Sequence, residues 1–216
     1  MNNPVRLSEI DDSNRSDHFH LTAADICYFL YEYTSGHNYE FSSTNSRISN
    51  LKKKPSQRGQ QHYQYKEGAI RACSRDFSQA LNAQWLAQAT LVPVPGSKVI
   101  DHPDHDDRMV RICNGISQPP SDVRLLVLQA QSTNASHEAQ EGDRVTVEKL
   151  ADIYSIDENI ANPAPSAIAI VDDILTAGTH FRAMKNILTT RFPGIPIIGL
   201  FVARRVFPEN PFANFA

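Results

Sequence analysis

The residues whose types and spacing could do chemistry lie in one stretch, 168–180, which reads IAIVDDILTAGTH. A fully apolar run over 168–171 leads into Asp172 and Asp173. Ile174 and Leu175 follow, and then Thr176, Ala177, Gly178 and Thr179 open a helix. Such a run is expected to be a central parallel strand, buried on both faces, that delivers two carboxylates at its carboxyl end. Ligands of open α/β sheets bind at those strand ends. The turn behind the acids offers backbone N–H groups, a glycine that permits close approach and two threonine hydroxyls, all at a helix N-terminus. That combination cradles phosphate. Carboxylates accept from sugar hydroxyls while amides hold a phosphate, so the pair suits a sugar phosphate. The order is wrong for a P-loop, because no G-x-x-x-x-G-K-[ST] occurs. A plain strand–turn–helix junction, with an aspartate as helix cap, is the alternative that needs no ligand.

Three other groups of polar residues could take part. A short apolar run over 90–94 is closed by Pro-x-Pro-Gly and followed by Ser97 and Lys98, the latter readable as an anion contact or a solvated loop lysine. The cluster Asp101, His102, Asp104, His105, Asp106 and Asp107 has residue types that suit zinc or manganese. Its members are too close in sequence to converge, and Asp-Pro turns with a helix N-cap account for several of them. Arg108 either reaches an anion or pairs with these acids. Finally, Lys52, Lys53 and Lys54 with Arg47 and Arg58, interleaved with Tyr63 and Tyr65, could touch nucleic-acid phosphates or form a solvated basic loop.

The elements that must position these groups follow from periodicity. Residues 1–17 read as a flexible arm. Thr22 and Asp25 resemble a capping box, and Ile26, Phe29, Leu30 and Tyr33 follow at helical spacing, which predicts an amphipathic helix over 22–33. The Ser-, Asn- and Gly-rich stretch 34–54 predicts loops and short strands. Ile70, Cys73, Phe77, Ala80 and Leu81 mark the buried face of a long helix over 67–88. Apolar runs at 90–94, 123–128, 167–171 and 195–202 alternate with helical segments at 105–115, 146–155 and 179–191. Such alternation implies βαβ units and a parallel sheet. The division expected is an arm (1–17), a hood or N-terminal subdomain (18–66), an α/β core (67–207) and a C-terminal tail (208–216).

Composition narrows the classes. With 216 residues, 41% hydrophobic and 21% charged, the chain can bury a sizeable core without staples. A formal charge of −3 argues against a dedicated DNA-coating protein and leaves room only for a local basic patch. No apolar run has membrane-span length, and 1–16 is polar, so a cytoplasmic location is expected. Cys27, Cys73 and Cys113 are far apart and form no C-x-x-C pair, so partly buried free thiols are expected rather than disulfides or a cysteine zinc site.

The order at 168–179 (four apolar residues, an acid pair, two apolar residues, Thr-x-Gly-x-Thr without its last hydroxyl) resembles the phosphoribosyl-diphosphate signature of type I phosphoribosyltransferases. It departs at the final position, where His180 replaces the usual small hydroxyl residue. The chain resembles more narrowly the ComF-like branch: 45–54 (NSRISNLKKK) is similar to its N-x-x-I-x-x-L-K element, and 92–98 (VPVPGSK) to its strand and diphosphate loop. Asp106, Asp107 and Arg108 fall where its Arg-rich helix begins, and 128–144 where its mobile catalytic loop is expected. The resemblance covers roughly 22–205; the four-cysteine zinc element of competence-type ComF proteins is absent.

The resemblance implies a Rossmann-like parallel sheet of the type I phosphoribosyltransferase fold beneath a helical or irregular hood. It implies binding of phosphoribosyl diphosphate with Mg²⁺, and transfer or release of the phosphoribosyl group to an acceptor that the sequence does not name. Asp172 and Asp173 would be the catalytic pair on the ribose 2′ and 3′ hydroxyls. Thr176, Ala177, Gly178, Thr179 and His180 would hold the 5′-phosphate, and Ser97, Lys98 and Arg108 the diphosphate, whose oxygens Mg²⁺ would bridge. No residue is expected to be a dedicated metal ligand. The polar segment 132–143, carrying His137, would be a lid, and the basic cluster at 52–54 a second lid over the acceptor side. The alternative is a catalytically silent member of the fold that acts as sensor or partner module, accessory to DNA uptake, DNA processing or phage defence. A homo-oligomer or a protein partner is expected, and nucleic acid is a weaker candidate.

Overall fold

The apolar run at 168–171 lies in the first half of a longer strand with parallel neighbours on both sides, as the computed structural model shows for the described residues 4–116, 121–133 and 145–208. In chain order the elements are β1 (Ser8–Glu9), β2 (Ile26–Thr34), α1 (Ser43–Leu51), α2 (Gln64–Ala80), α3 (Ala83–Leu86), β3 (Ala89–Pro93) and α4 (Arg108–Asn114). They continue with β4 (Asp122–Val123), β5 (Val127–Gln129), α5 (Val147–Ile153), β6 (Tyr154–Ile156), β7 (Ala167–Leu175), α6 (Thr179–Arg191) and β8 (Ile197–Val206). A six-stranded sheet runs β1-β2-β8-β7-β3-β4, parallel throughout except for β1, and β5 and β6 form a separate antiparallel pair. The fold is therefore α/β, with a mostly parallel mixed sheet flanked by helices.

Strand alternation divides the core between the two faces of this sheet. Val92, Ile168 and Ile170 pack with Phe181, Met184 and Leu188 of α6. Leu91, Ala169 and Val171 pack on the other face with Ile70, Cys73 and Phe77 of α2 and Met109 and Ile112 of α4. Each large apolar side chain buried in this way contributes about 1.5–3 kcal/mol. The first half of β7, 167–171, is covered on both sides, which is why that half is an unbroken apolar run.

Several expected elements differ. The helix predicted over 22–33 is a strand: Ile26, Cys27, Tyr28, Phe29, Tyr31 and Tyr33 are β-branched or aromatic in the main, and parallel pairing with β8 from Ile26 to Thr34 outweighs a coincidental helical spacing. The Thr22–Asp25 interaction does form, with Asp25 accepting from Thr22 N–H at 2.7 Å and Oγ1–H at 2.9 Å, but it closes a turn before the strand. β2 thus belongs to the core sheet rather than to the hood. Residues 8–10 are no free arm either, because β1 pairs with β2 and Ile10 is buried. The stretch expected as loops and short strands contains α1, started by Ser42, whose Oγ accepts from Asn45 N at 3.0 Å. The long helix expected over 67–88 breaks after Ala80, and Asn82 caps the short α3. The run at 123–128 is divided between β4 of the main sheet and β5 of the hairpin. α6 has the predicted bounds. Residues 209–216 of the expected tail lie outside the described residues.

Candidate functional site

Asp172 and Asp173 lie inside β7, which runs on to Leu175, rather than just beyond it. Asp173 is the more deeply buried of the two and faces cations. Its Oδ2 accepts from Arg108 Nε at 3.0 Å and Nη2 at 2.7 Å, and Lys52 Nζ lies 3.7 Å from Oδ1. α4 supplies Arg108 and the residue that ends α1 supplies Lys52. Burial would raise the Asp173 carboxyl, but Lys52 and Arg108 outweigh it and hold the group well below the usual carboxylate range. Among the described residues no cation is hydrogen-bonded to Asp172, although the charges of Arg108 and Lys52 act on it. Burial and the neighbouring Asp173 charge push it up, against the Asp173 N–H that its Oδ1 accepts at 2.8 Å. The acids thus separate into an anchored carboxylate and a more basic one.

The cations are themselves organised by a buried lysine. Lys66 of α2 is completely buried, and its three N–H bonds go to the carbonyls of Leu51 and Lys53, both at 2.7 Å, and to Asp106 Oδ2 at 2.6 Å. Asp106 Oδ2 also accepts from Arg108 Nη1 at 2.8 Å. Lys66 therefore grips the backbone on either side of Lys52 and holds the acid that orients Arg108. Burial pulls its ammonium down and Asp106 opposes this.

The cradle follows directly. Gly178 takes φ +88° and is the N-cap of α6, the left-handed conformation that favours glycine. A Cβ there would also lie 3.2 Å from Leu21. The N-terminal segment supports this turn from behind: His20 N donates to Ala177 O at 2.9 Å, and the buried His18 bonds the Thr176 carbonyl through Nδ1. His180 follows Thr179 in the first turn, with Nδ1 2.9 Å from the Tyr154 hydroxyl. Burial pushes the imidazole down to about 4.

Across the cleft, the loop after β3 carries Ser97 and Lys98. Gly96 packs against the Asp106 backbone, where a Cβ would come within 3.1 Å of the carbonyl oxygen. Ser97 O accepts from Thr133 N at 2.7 Å and Gln129 Nε2 at 3.1 Å, and Lys98 Nζ donates to Thr133 O at 3.1 Å. The loop is thus tied to the segment leaving β5. Together these elements enclose a cavity of about 140 Å³ lined by Ser97, Lys98, Arg108, Asp172, Asp173, Thr176 and His180, with Lys52, Lys54, Asp104 and Asp106 also in its wall. Most of the residues singled out in the sequence therefore converge; Ala177, Gly178 and Thr179 are in the adjoining turn and helix start.

The side chains of the 101–107 cluster turn to different partners. Asp104 accepts from Ser56 N at 3.1 Å, His105 bonds Lys98 O at 2.9 Å and Asp106 serves Lys66 and Arg108. Among the described residues no group of three or more His, Cys, Asp or Glu could hold a metal ion. The three cysteines are free and buried. The lid expected at 132–143, with His137, lies outside the described residues beyond Thr133. No described helix is long and apolar enough to cross a membrane.

Sequence reasoning missed Lys66, His18 and Tyr154. Lys66 and His18 are polar residues in ordinary polar surroundings, and only the fold buries them. Lys52 was visible as part of a basic cluster, but not as a partner of Asp173. No protein-family model matches the chain, and no curated protein matches it. The fold and site define an α/β protein with an acid pair, a glycine-turn cradle and a cationic wall around one cleft.

Proposed function

We propose that this cleft binds phosphoribosyl diphosphate together with Mg²⁺ and transfers or releases its phosphoribosyl group to an acceptor. The observation that carries the reading is the juxtaposition, at one sheet end, of Asp172 and Asp173 with the Gly178 turn of α6 on one side and Ser97, Lys98 and Arg108 on the other. In this reading the acids accept from the ribose hydroxyls. The amides of 176–179 and the His180 ring receive the 5′-phosphate at the positive end of a helix of 13 residues. Ser97, Lys98 and Arg108 take the diphosphate.

Loss of diphosphate from ribose C1 builds positive charge on the sugar and negative charge on the leaving group. The protein's part is to position the sugar and to offset both charges. Asp172 and Asp173 lie on the sugar side, and Lys98 and Arg108 on the leaving-group side. The donor set fits Mg²⁺ only as an ion brought in with the diphosphate, since the described residues offer no cage of their own and Asp173 is already paired. Bound in that way, Mg²⁺ would supply charge neutralisation at the diphosphate oxygens.

At about 140 Å³ the cavity is smaller than the roughly 300–1,000 Å³ of typical ligand sites. Lys52 and Arg108 fill the space in front of Asp173, and a polyanion gives both cations a new partner as it enters. Calorimetry tests the reading. Mg²⁺-dependent binding of phosphoribosyl diphosphate is expected for the wild type, and loss of it for Asp172→Asn/Asp173→Asn; absence of binding to the wild type overturns the proposal.

A second reading, a ligand sensor without turnover, draws support from the two hydrogen bonds of Arg108 to Asp173 Oδ2 and from His180 in place of a hydroxyl. It predicts binding with no ribosylated product for any nucleobase. Detection of such a product rules it out.

A further inference from the structure

His180 is where the sequence departs from the phosphoribosyl-diphosphate pattern, and the fold gives it a fixed neighbour. Tyr154, the first residue of β6, is 5% exposed, and its hydroxyl lies 2.9 Å from His180 Nδ1. Among the described residues this hydroxyl has no other hydrogen bond. A buried hydroxyl proton left without an acceptor costs about 1–3 kcal/mol. The arrangement that pairs the buried hydroxyl proton has Tyr154 donating to Nδ1. The proton of the imidazole ring then resides on Nε2, the one nitrogen left for a ligand in the cavity that His180 lines.

We propose that Tyr154 is a positioning residue that fixes His180 as its Nε2–H tautomer, so that a neutral imidazole donates to a phosphate monoester held by the 176–180 turn. The proposal rests on the reading of that turn as a phosphate cradle. It adds to that reading which ring nitrogen meets the phosphate, Nε2, and which residue holds the ring so, Tyr154.

The surroundings keep the donor neutral. Burial disfavours the imidazolium, and Lys52 and Arg108 oppose it further; Asp173 alone acts in its favour. Of the elements packed against α6, β6 presents Tyr154, whose hydroxyl is pushed up by burial and by Asp172 and so keeps its proton. No charged residue of α5 acts on the ring. A neutral N–H donor does not depend on protonation of the side chain near neutral pH, as an imidazolium would.

Nitrogen-15 NMR of the labelled full chain reads the tautomer directly, with the His180 signal assigned by its loss in His180→Thr. The expected result is a proton on Nε2 in the wild type, and a shift of that group as inorganic phosphate is titrated. The amides of Thr176, Gly178 and Thr179 should shift in parallel. A proton on Nδ1 overturns the proposal. If the amides respond and Nε2 does not, the proposal fails and the cradle stands. If neither responds, the cradle reading fails and the proposal with it.

A double-mutant cycle gives the second arm. Tyr154→Phe should weaken phosphate binding about threefold in the wild type, and His180→Ala about tenfold, the scale of one hydrogen bond to a charged group. In the His180→Thr background, whose hydroxyl donates without help, Tyr154→Phe should change nothing. Equal weakening in both backgrounds would mean that Tyr154 acts only through the general fold, and it refutes the positioning role.

Discussion

Lys66→Met tests the buried network beneath the acid pair. Methionine keeps most of the side-chain volume and removes the ammonium, so the perturbation is electrostatic rather than a cavity. Three hydrogen bonds disappear, those to the Leu51 and Lys53 carbonyls and to Asp106. Breaking a buried ion pair by removing one partner costs about 3–5 kcal/mol. Here Asp106 keeps Arg108 at 2.8 Å, so the lower end of that range is expected, about 3 kcal/mol. For a chain of this size such a loss lowers Tm by roughly 6–12 °C. Urea unfolding followed by circular dichroism measures it, with an unchanged m-value marking a pure stability change. The same variant should weaken phosphoribosyl-diphosphate binding, because Lys52 and Arg108 lose the group that orients both. A stability loss below about 1 kcal/mol would mean that the ammonium is not held in these three bonds.

Other outcomes follow from the same geometry. The folded His180 ring titrates at about 4, below its ordinary 6.5, so the unfolded chain takes up the proton first. Its contribution is complete above pH 6.5 and is lost as pH falls toward 4, up to about 3 kcal/mol. The stability gap between wild type and His180→Gln should therefore shrink from pH 7 to 4.5 in urea titrations; a constant gap contradicts the burial argument. Gly178→Ala places a Cβ at φ +88° and 3.2 Å from Leu21, and should cost about 1–3 kcal/mol and abolish phosphate binding in a titration calorimeter. Ser42→Ala removes the cap of α1 and should lower stability by about 1 kcal/mol in thermal melts.

The sequence made β7, its acids and α6 legible because three independent signals agree there: an unbroken apolar run, acids at its end and a glycine turn opening a periodic helix. β2 was misread because Ile26, Phe29, Leu30 and Tyr33 satisfy a helical period while the same residues also suit a strand buried beside β8. Pairing with a strand some 170 residues away leaves no local trace. The helix α1 was hidden by its Ser and Asn content, although those residues mark its cap and first turn. The site's acids, glycine and Arg108 were visible by type. Lys66, His18 and Tyr154 were not, because their roles come from burial and from contacts across elements, neither of which has a spacing in sequence.

If the cleft receives phosphoribosyl diphosphate as proposed, crystals grown with that ligand and Mg²⁺ will carry its density there. The expected density has the 5′-phosphate on the 176–180 turn and the ribose hydroxyls on Asp172 and Asp173, with Lys52 withdrawn from its place 3.7 Å from Asp173. An unaltered Lys52–Asp173–Arg108 cluster at saturating ligand, with density elsewhere or none at all, would contradict the proposal.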